Sequence, residues 1–167
     1  MGTTVTAVAL VAGYWVIAHI GDSRAYLLRG HTLTRITRDH SLVQALVESG
    51  TITEGEAIGH PHANVITRAV GADSDPLELE KRTGRLQMGD RLLLCSDGLC
   101  KTLPEEQLLE LLSGDSDTGA ERLVAAALMA KVNDNVTAIA IAFGADEAAA
   151  IDVTTVNASI PAMPKDA

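Results

Sequence analysis

Short apolar runs, each closed by a glycine or a small polar break, set the pattern of the first forty residues. Residues 5–12, VTAVALVA, are apolar and rich in β-branched side chains, and Gly13 ends them. Residues 14–20, YWVIAHI, form a second run, which Gly21-Asp22-Ser23 closes with turn chemistry. The chain resumes at 24–29, RAYLLR, breaks at Gly30, and alternates polar and apolar over 31–37, HTLTRIT. Four short runs with tight breaks predict an antiparallel meander. The first two are apolar on both faces, which predicts central strands covered on both sides.

The period then changes. Leu42, Ala45, Leu46 and Ser49 recur at helical spacing over 41–49, and Gly50 is a natural stop. A short helix is expected at 53–58 despite Gly55, and a short strand near Val65–Arg68 in an otherwise loop-like stretch. Alternation returns over 77–86, and 91–96, RLLLCS, reads as a buried strand. Pro104 suits the first turn of a helix through about Leu112, and a second helix is expected at roughly 119–131. Residues 135–143, NVTAIAIAF, close the pattern as a strand with small residues on one face and large ones on the other. That asymmetry suits a helix on one side and a second sheet on the other. From Gly144 the periodicity fades, and 145–167 is expected to be a disordered tail.

Composition narrows the class. A chain of 167 residues, 47% hydrophobic with mean hydropathy +0.17, fits one domain with a core built from aliphatic side chains, since only 2% is aromatic. A formal net charge of −9 argues against a nucleic-acid partner. The apolar runs are about eight residues long, short of the ~20 that a membrane-spanning helix needs. No signal peptide opens the chain, and Cys95 and Cys100 read as reduced thiols, so a cytoplasmic location is expected.

Three aspartates share a context. Asp22 follows YWVIAHIG, Asp97 follows LLLCS, and Asp134 in VNDN precedes VTAIAIAF. Each stands at the boundary of an apolar strand. Each can be a turn or cap aspartate bonding nearby backbone N–H groups. If their strands share one sandwich, the three carboxylates can instead converge at one end, where hard oxygen ligands suit Mg²⁺ or Mn²⁺. Spacing leaves both readings open.

Other candidates carry less. His40 in RDHS lies between a strand and a helix with no visible nucleophile partner, which favours a structural role. Ser23 and Ser96 lie in no GxSxG elbow. His60 and His62 lack the further ligands of a soft-metal site. Glu105 and Glu106 complement a helix dipole. Walker and Rossmann phosphate loops are absent.

Six segments in order, MGTTVTAVAL, AHIGDSRAYLLR, ITRDHSLVQALVESGTI, NVITRAVG, GDRLLLCSDGL and NDNVTAIAI, resemble the metal-dependent serine/threonine protein phosphatases of the 2C class, the PPM family, in its bacterial form. The likeness covers residues 1 to about 143. It implies an α+β fold, an antiparallel β-sandwich flanked by helices on both outer faces, with 1–144 forming the C-terminal two-thirds of the phosphatase domain. It implies that Asp97 in SDG and Asp134 in DN match metal-ligating aspartates, and that Asp22 in GDSR matches one associated with a third, looser metal. Residues 41–64 match the flap beside the active site, and Asp39 and His40 match the DHS motif. Two Mn²⁺ or Mg²⁺ ions are then expected in the complete domain. The resemblance implies that a metal-bound water is the nucleophile, with no residue of this chain expected to serve as one. A metal would also offset the cost of burying the three carboxylates.

The resemblance also shows departures. The family's arginine that grips phosphate, its early acidic ligand and its DGxGG motif have no counterpart here, so the numbering is expected to begin inside the domain, N-terminally truncated. An internal start and a shortened regulatory homologue both explain that. Lys131-Val132 stand where the family often has glycine. The expected function is hydrolysis of phosphoserine and phosphothreonine on proteins, reversing a serine/threonine kinase. The expected partners are phosphorylated proteins, among them such a kinase and its substrates. With part of the metal shell missing, this chain alone is expected to be weakly active or inactive. The alternative is a non-catalytic binding module that keeps the sandwich and the flap.

Overall fold

A computed structural model describes residues 2–72, 77–114, 118–144 and 151–159. The chain forms two compact units: Met1–Tyr26 with Arg35–Gln87, and Leu27–Thr34 with Met88–Ala167. The class is α+β, built from antiparallel strand pairs and short helices.

In the first unit, β1 (Val5–Val11) and β2 (Tyr14–Ile20) form a hairpin in which Val11 faces Tyr14. The two-residue turn holds Ala12 at φ 49° and Gly13 at φ 79°, the pair of positive angles that matches strand twist in such hairpins. A later strand, Glu80–Arg85, pairs with β2 on its other edge and completes a three-stranded sheet. In that pair Trp15 faces Gly84, and a Cβ on Gly84 would lie 2.2 Å from the indole. The expectation for β1 needs correction: none of its residues is buried, because it has a strand neighbour on one side only. β2 is the covered strand, with Trp15, Ile17, His19 and Ile20 buried.

The expected meander is also corrected. β3 (Arg24–Arg29) and β4 (Thr32–Arg35) belong to a second sheet, and Gly21-Asp22-Ser23 is a change of sheet rather than a hairpin turn. β3 begins in the first unit and ends in the second.

Helix α1 (Leu42–Glu48) is capped by Ser41, whose Oγ accepts the Gln44 N–H at 3.3 Å. Helix α2 (Glu54–Ala57) starts in a Thr53–Glu56 capping box, which outweighs the cost of Gly55. The strand expected near Val65–Arg68 is reduced to a single bridge between Ser41 and Ile66.

The strand Glu80–Arg85 is β5, and the second unit continues with β6 (Arg91–Cys95), α3 (Asp97–Cys100), α4 (Glu105–Ser113), α5 (Gly119–Met129), β7 (Val136–Phe143) and β8 (Ile151–Ala158). The second sheet runs β4-β3-β6-β7-β8. Leu92, Leu93, Leu108, Leu112, Leu123 and Val136 are fully buried and make the core. The small face of β7 does receive a helix: a Cβ on Gly119 of α5 would lie 3.7 Å from that of Ala140. Arg29 clasps the buried Asp90 through Nε at 2.8 Å and Nη2 at 2.7 Å, fixing the end of β3 against the turn into β6.

The tail expected at 145–167 is corrected for the described residues. Residues 151–158 pair with β7 from Phe143↔Ile151 to Val136↔Ala158. Ile151, Val153, Thr154, Thr155 and Val156 give this segment β-branched content that suits a strand. The rest of the expected tail, 145–150 and 160–167, lies outside the described residues.

Candidate functional site

Asp22 lies in the first unit, in a turn built around Gly21. Gly21 adopts φ 110°, and a Cβ there would meet Thr4 Cγ2 at 2.3 Å, so only glycine fits. His40 holds both backbone groups of this glycine: its N–H donates to the Gly21 carbonyl at 2.8 Å, and its Nδ1 accepts the Gly21 N–H at 3.1 Å. A backbone N–H always donates, so the neutral His40 ring carries its proton on Nε2, 3.3 Å from Glu80 Oε2. Asp39 pairs with Arg24 at 2.8 Å and with Arg35 at 2.5 Å. Asp22 itself is 4% exposed. The DHS segment thus fixes the GDSR turn, as the sequence suggested when it gave His40 a structural role.

A second histidine lies against the first, with the His19 and His40 ring centroids 5.0 Å apart. His19 Nε2 donates to the Arg38 carbonyl, and Nδ1 lies 3.0 Å from the Thr6 hydroxyl. Burial pushes both imidazoles below their ordinary range, the neighbouring Arg68 guanidinium adding to the effect at His40 and His40 adding to it at His19. For Glu80, burial acts upward, but Arg82 and His40 together hold it below the ordinary carboxylate range.

Asp97 and Asp134 lie in the second unit, and the backbone draws their segments together. Ser96 N donates to the Thr137 carbonyl at 3.1 Å, Thr137 N donates to Ser96 Oγ at 3.0 Å, and Ser96 Oγ donates to the Asn135 carbonyl at 3.3 Å. Gly98 permits the approach, because a Cβ there would lie 2.4 Å from the Asn135 oxygen and 3.4 Å from Asp134 Cβ. Each carboxylate spends Oδ1 on the next residue's N–H, Asp97 on Gly98 at 2.9 Å and Asp134 on Asn135 at 2.7 Å. Asp97 Oδ2 pairs with Lys101 Nζ at 3.0 Å.

The premise that all three carboxylates are buried is corrected. The Asp97 side chain is 30% exposed and Asp134 is exposed, so only Asp22 is taken out of water. Asp97 sits in the first turn of α3 with a lysine beside it, which meets the cost of its partial burial without a metal. Carboxylate oxygens are the donors that Mg²⁺ and Mn²⁺ prefer. Asp97 and Asp134 therefore fit such an ion as part of a shell that water can extend. Among the described residues no group of three or more His, Cys, Asp or Glu stands ready to hold a metal.

The remaining sequence candidates do not build a site. Ser96 is committed to the Asn135 and Thr137 backbone, and Glu105 and Glu106 open α4. Ser23 Oγ lies 3.2 Å from the Thr4 hydroxyl. The His60 and His62 rings lie 5.6 Å apart, tilted by 51°, on a loop with no third ligand among the described residues.

Residues 1–133 match the Protein phosphatase 2C family. The chain belongs to that family. It is 43% identical over 112 residues to the serine/threonine phosphatase stp of Listeria monocytogenes, a match covering 67% of this chain and 44% of that protein. The crystal structure of the Mycobacterium tuberculosis serine/threonine phosphatase PstP/Ppp superposes with a TM-score of 0.78 at 42% identity, covering 84% of this chain and 59% of that one. A structure of the PstP catalytic domain in complex with two manganese ions superposes with a TM-score of 0.74 at 38% identity, covering 85% and 58%. The chain thus spans less than two thirds of these relatives.

In this 2C-family chain, Gly98 and Lys101 take roles that the sequence did not single out, and Ser96, weighed there only as a nucleophile, is a structural link. Gly98 and Ser96 hold the SDG and NDN segments together. Lys101 was visible in principle, because i,i+4 spacing from Asp97 on a helix is a pairing distance. Lys131, before Asn133-Asp134, adopts φ 57°, the left-handed region that favours glycine. Lys131 N donates to the Leu128 carbonyl and Val132 N to the Ala127 carbonyl, so Lys131 takes the left-handed position of a Schellman cap on α5.

Among the described residues no helix is long and apolar enough to cross a membrane.

Proposed function

We propose that this chain is the metal-ligating part of a cytoplasmic phosphatase that hydrolyses phosphoserine and phosphothreonine on proteins. The 1–144 segment would form the C-terminal two-thirds of the phosphatase domain, with 41–64 as its flap. The observation that carries the reading is the joining of SDG and NDN, in which Gly98 and the Ser96 hydrogen bonds place Asp97 and Asp134 on adjoining backbone. Those two carboxylates would hold Mn²⁺ or Mg²⁺, with Asp22 assigned to a third, looser ion. A divalent ion at such a site activates water and neutralises phosphoryl oxygens. This chain's own residues do the positioning. Ser96 and Gly98 set the spacing of the carboxylates, the Gly98 and Asn135 N–H groups fix their rotation, and His40 sets the backbone at Gly21 beside Asp22. The matched relatives are phosphatases by name, which favours hydrolysis over a non-catalytic module.

Phosphate release from a phosphothreonine peptide tests the reading. A slow, Mn²⁺-dependent release is expected, since two carboxylates make an incomplete shell, and Asp97→Asn and Asp134→Asn should each lower it at least tenfold. Release indifferent to Mn²⁺ and to both substitutions would overturn it.

A further inference from the structure

Lys101 is the C-cap of α3, four residues beyond Asp97. Its ammonium lies 3.0 Å from Asp97 Oδ2, the oxygen that the Gly98 N–H does not take. Both side chains of the pair are 30% exposed, so each can exchange its partner for water or another ion without unfolding its surroundings. The helical turn between the two residues fixes the pairing, so the cation is supplied by the C-cap of the same short helix that carries the ligand. The setting is otherwise favourable to cations: the chain carries 22 acidic against 13 basic residues, and the neighbouring Asp134 adds another negative charge.

We propose that Lys101 is a built-in counter-ion that competes with the divalent metal for Asp97 and so sets how tightly the site binds it. This inference rests on the metal reading of Asp97 given above. An ammonium and a divalent ion repel one another, and they cannot both take Oδ2 at full strength. Metal entry therefore requires Lys101 to swing away. The strength of an exposed ion pair and the repulsion of a doubly charged ion at this range together correspond to about a threefold to tenfold change in affinity.

Mn²⁺ titration of the full 167-residue chain, followed by the electron paramagnetic resonance signal of the free ion, tests the proposal without any activity assay. Lys101→Gln is expected to lower the Mn²⁺ Kd by about threefold to tenfold. Lys101→Arg, which keeps the charge, should stay within about twofold of the parent, as should Lys81→Gln, which removes a lysine from β5. If the parent binds Mn²⁺ and Lys101→Gln binds no more tightly, the proposal is overturned while the metal reading stands. Equal tightening in Lys81→Gln would also overturn it, by making net charge the cause. If the parent and Lys101→Gln both leave all Mn²⁺ free, the metal reading itself fails and takes this inference with it.

Discussion

Two aspartate-bearing turns, Gly21-Asp22-Ser23 and Ser96-Asp97-Gly98, look alike in sequence and differ in surroundings. Asp22 is 4% exposed and sits in a turn fixed by His40, Gly21 and Thr4. Asp97 is 30% exposed, bonded to its own neighbour's N–H and to a lysine that can leave. The first turn is determined by the fold around it and has little freedom. The second has a fixed backbone and an adaptable carboxylate, the combination expected where an ion comes and goes. Burial, not the presence of an aspartate at a strand end, separates the two.

The strongest way to break the comparison is to disturb the fixed backbone of the second turn. Gly98→Ala would drive a methyl group against the Asn135 carbonyl, a backbone atom with little room to yield. A loss of about 3 kcal/mol is expected, the upper end for overpacking, read from urea unfolding followed by circular dichroism. A neutral outcome would mean that the two segments are not held together as described.

Acid should act on the first turn instead. His19 and His40 have folded-state pKa values below the ordinary imidazole value of 6.5, so the fold favours their neutral forms. Their contribution to stability is complete above pH 6.5. As pH falls below that value the unfolded chain takes up protons first, and the contribution is lost on approach to the depressed folded values. Trp15, the single tryptophan, is buried in the same unit and reports its unfolding by fluorescence. The urea midpoint should fall between pH 7.5 and 5.5, and a midpoint flat over that range would remove the buried histidine pair as a stabilising device. No histidine follows His62 in the chain, so the second turn has no counterpart to this sensitivity.

The smallest effect sharpens the path into Asp134. Lys131→Gly relieves a left-handed lysine at the α5 cap, a gain offset in part by the freedom glycine adds to the unfolded chain. A net stabilisation of about 0.5 kcal/mol is expected in thermal unfolding. A loss of stability would show that the lysine side chain contributes more than its backbone angle costs.

Much of this was legible because period and punctuation agree. Gly13 and Gly50 end elements where the pattern broke, and Ser41 and Thr53 cap the helices that the spacing indicated. Strand partners were not legible: β2 and β3 are neighbours in sequence yet pair in different sheets, since a Gly-Asp-Ser turn can reverse a strand or hand it to another layer. The apolar composition of β1 reads as burial, but exposure depends on how many neighbours a strand has. The six ordered segments pointed to the family and to Asp97 and Asp134. The roles of Ser96 and Gly98 were not legible, because they depend on contacts between residues 96–98 and 134–137, whereas the Lys101 pairing follows from its spacing once a helix begins at Asp97.

Strand β8 has a practical consequence. A recombinant chain stopped at Gly144, where composition turns polar and small, would strip β7 of its outer partner along its whole length, from Val136 to Phe143. The bared row of amide and carbonyl groups would recruit whatever strand it met, so solubility during purification would depend on keeping the segment through Ala158.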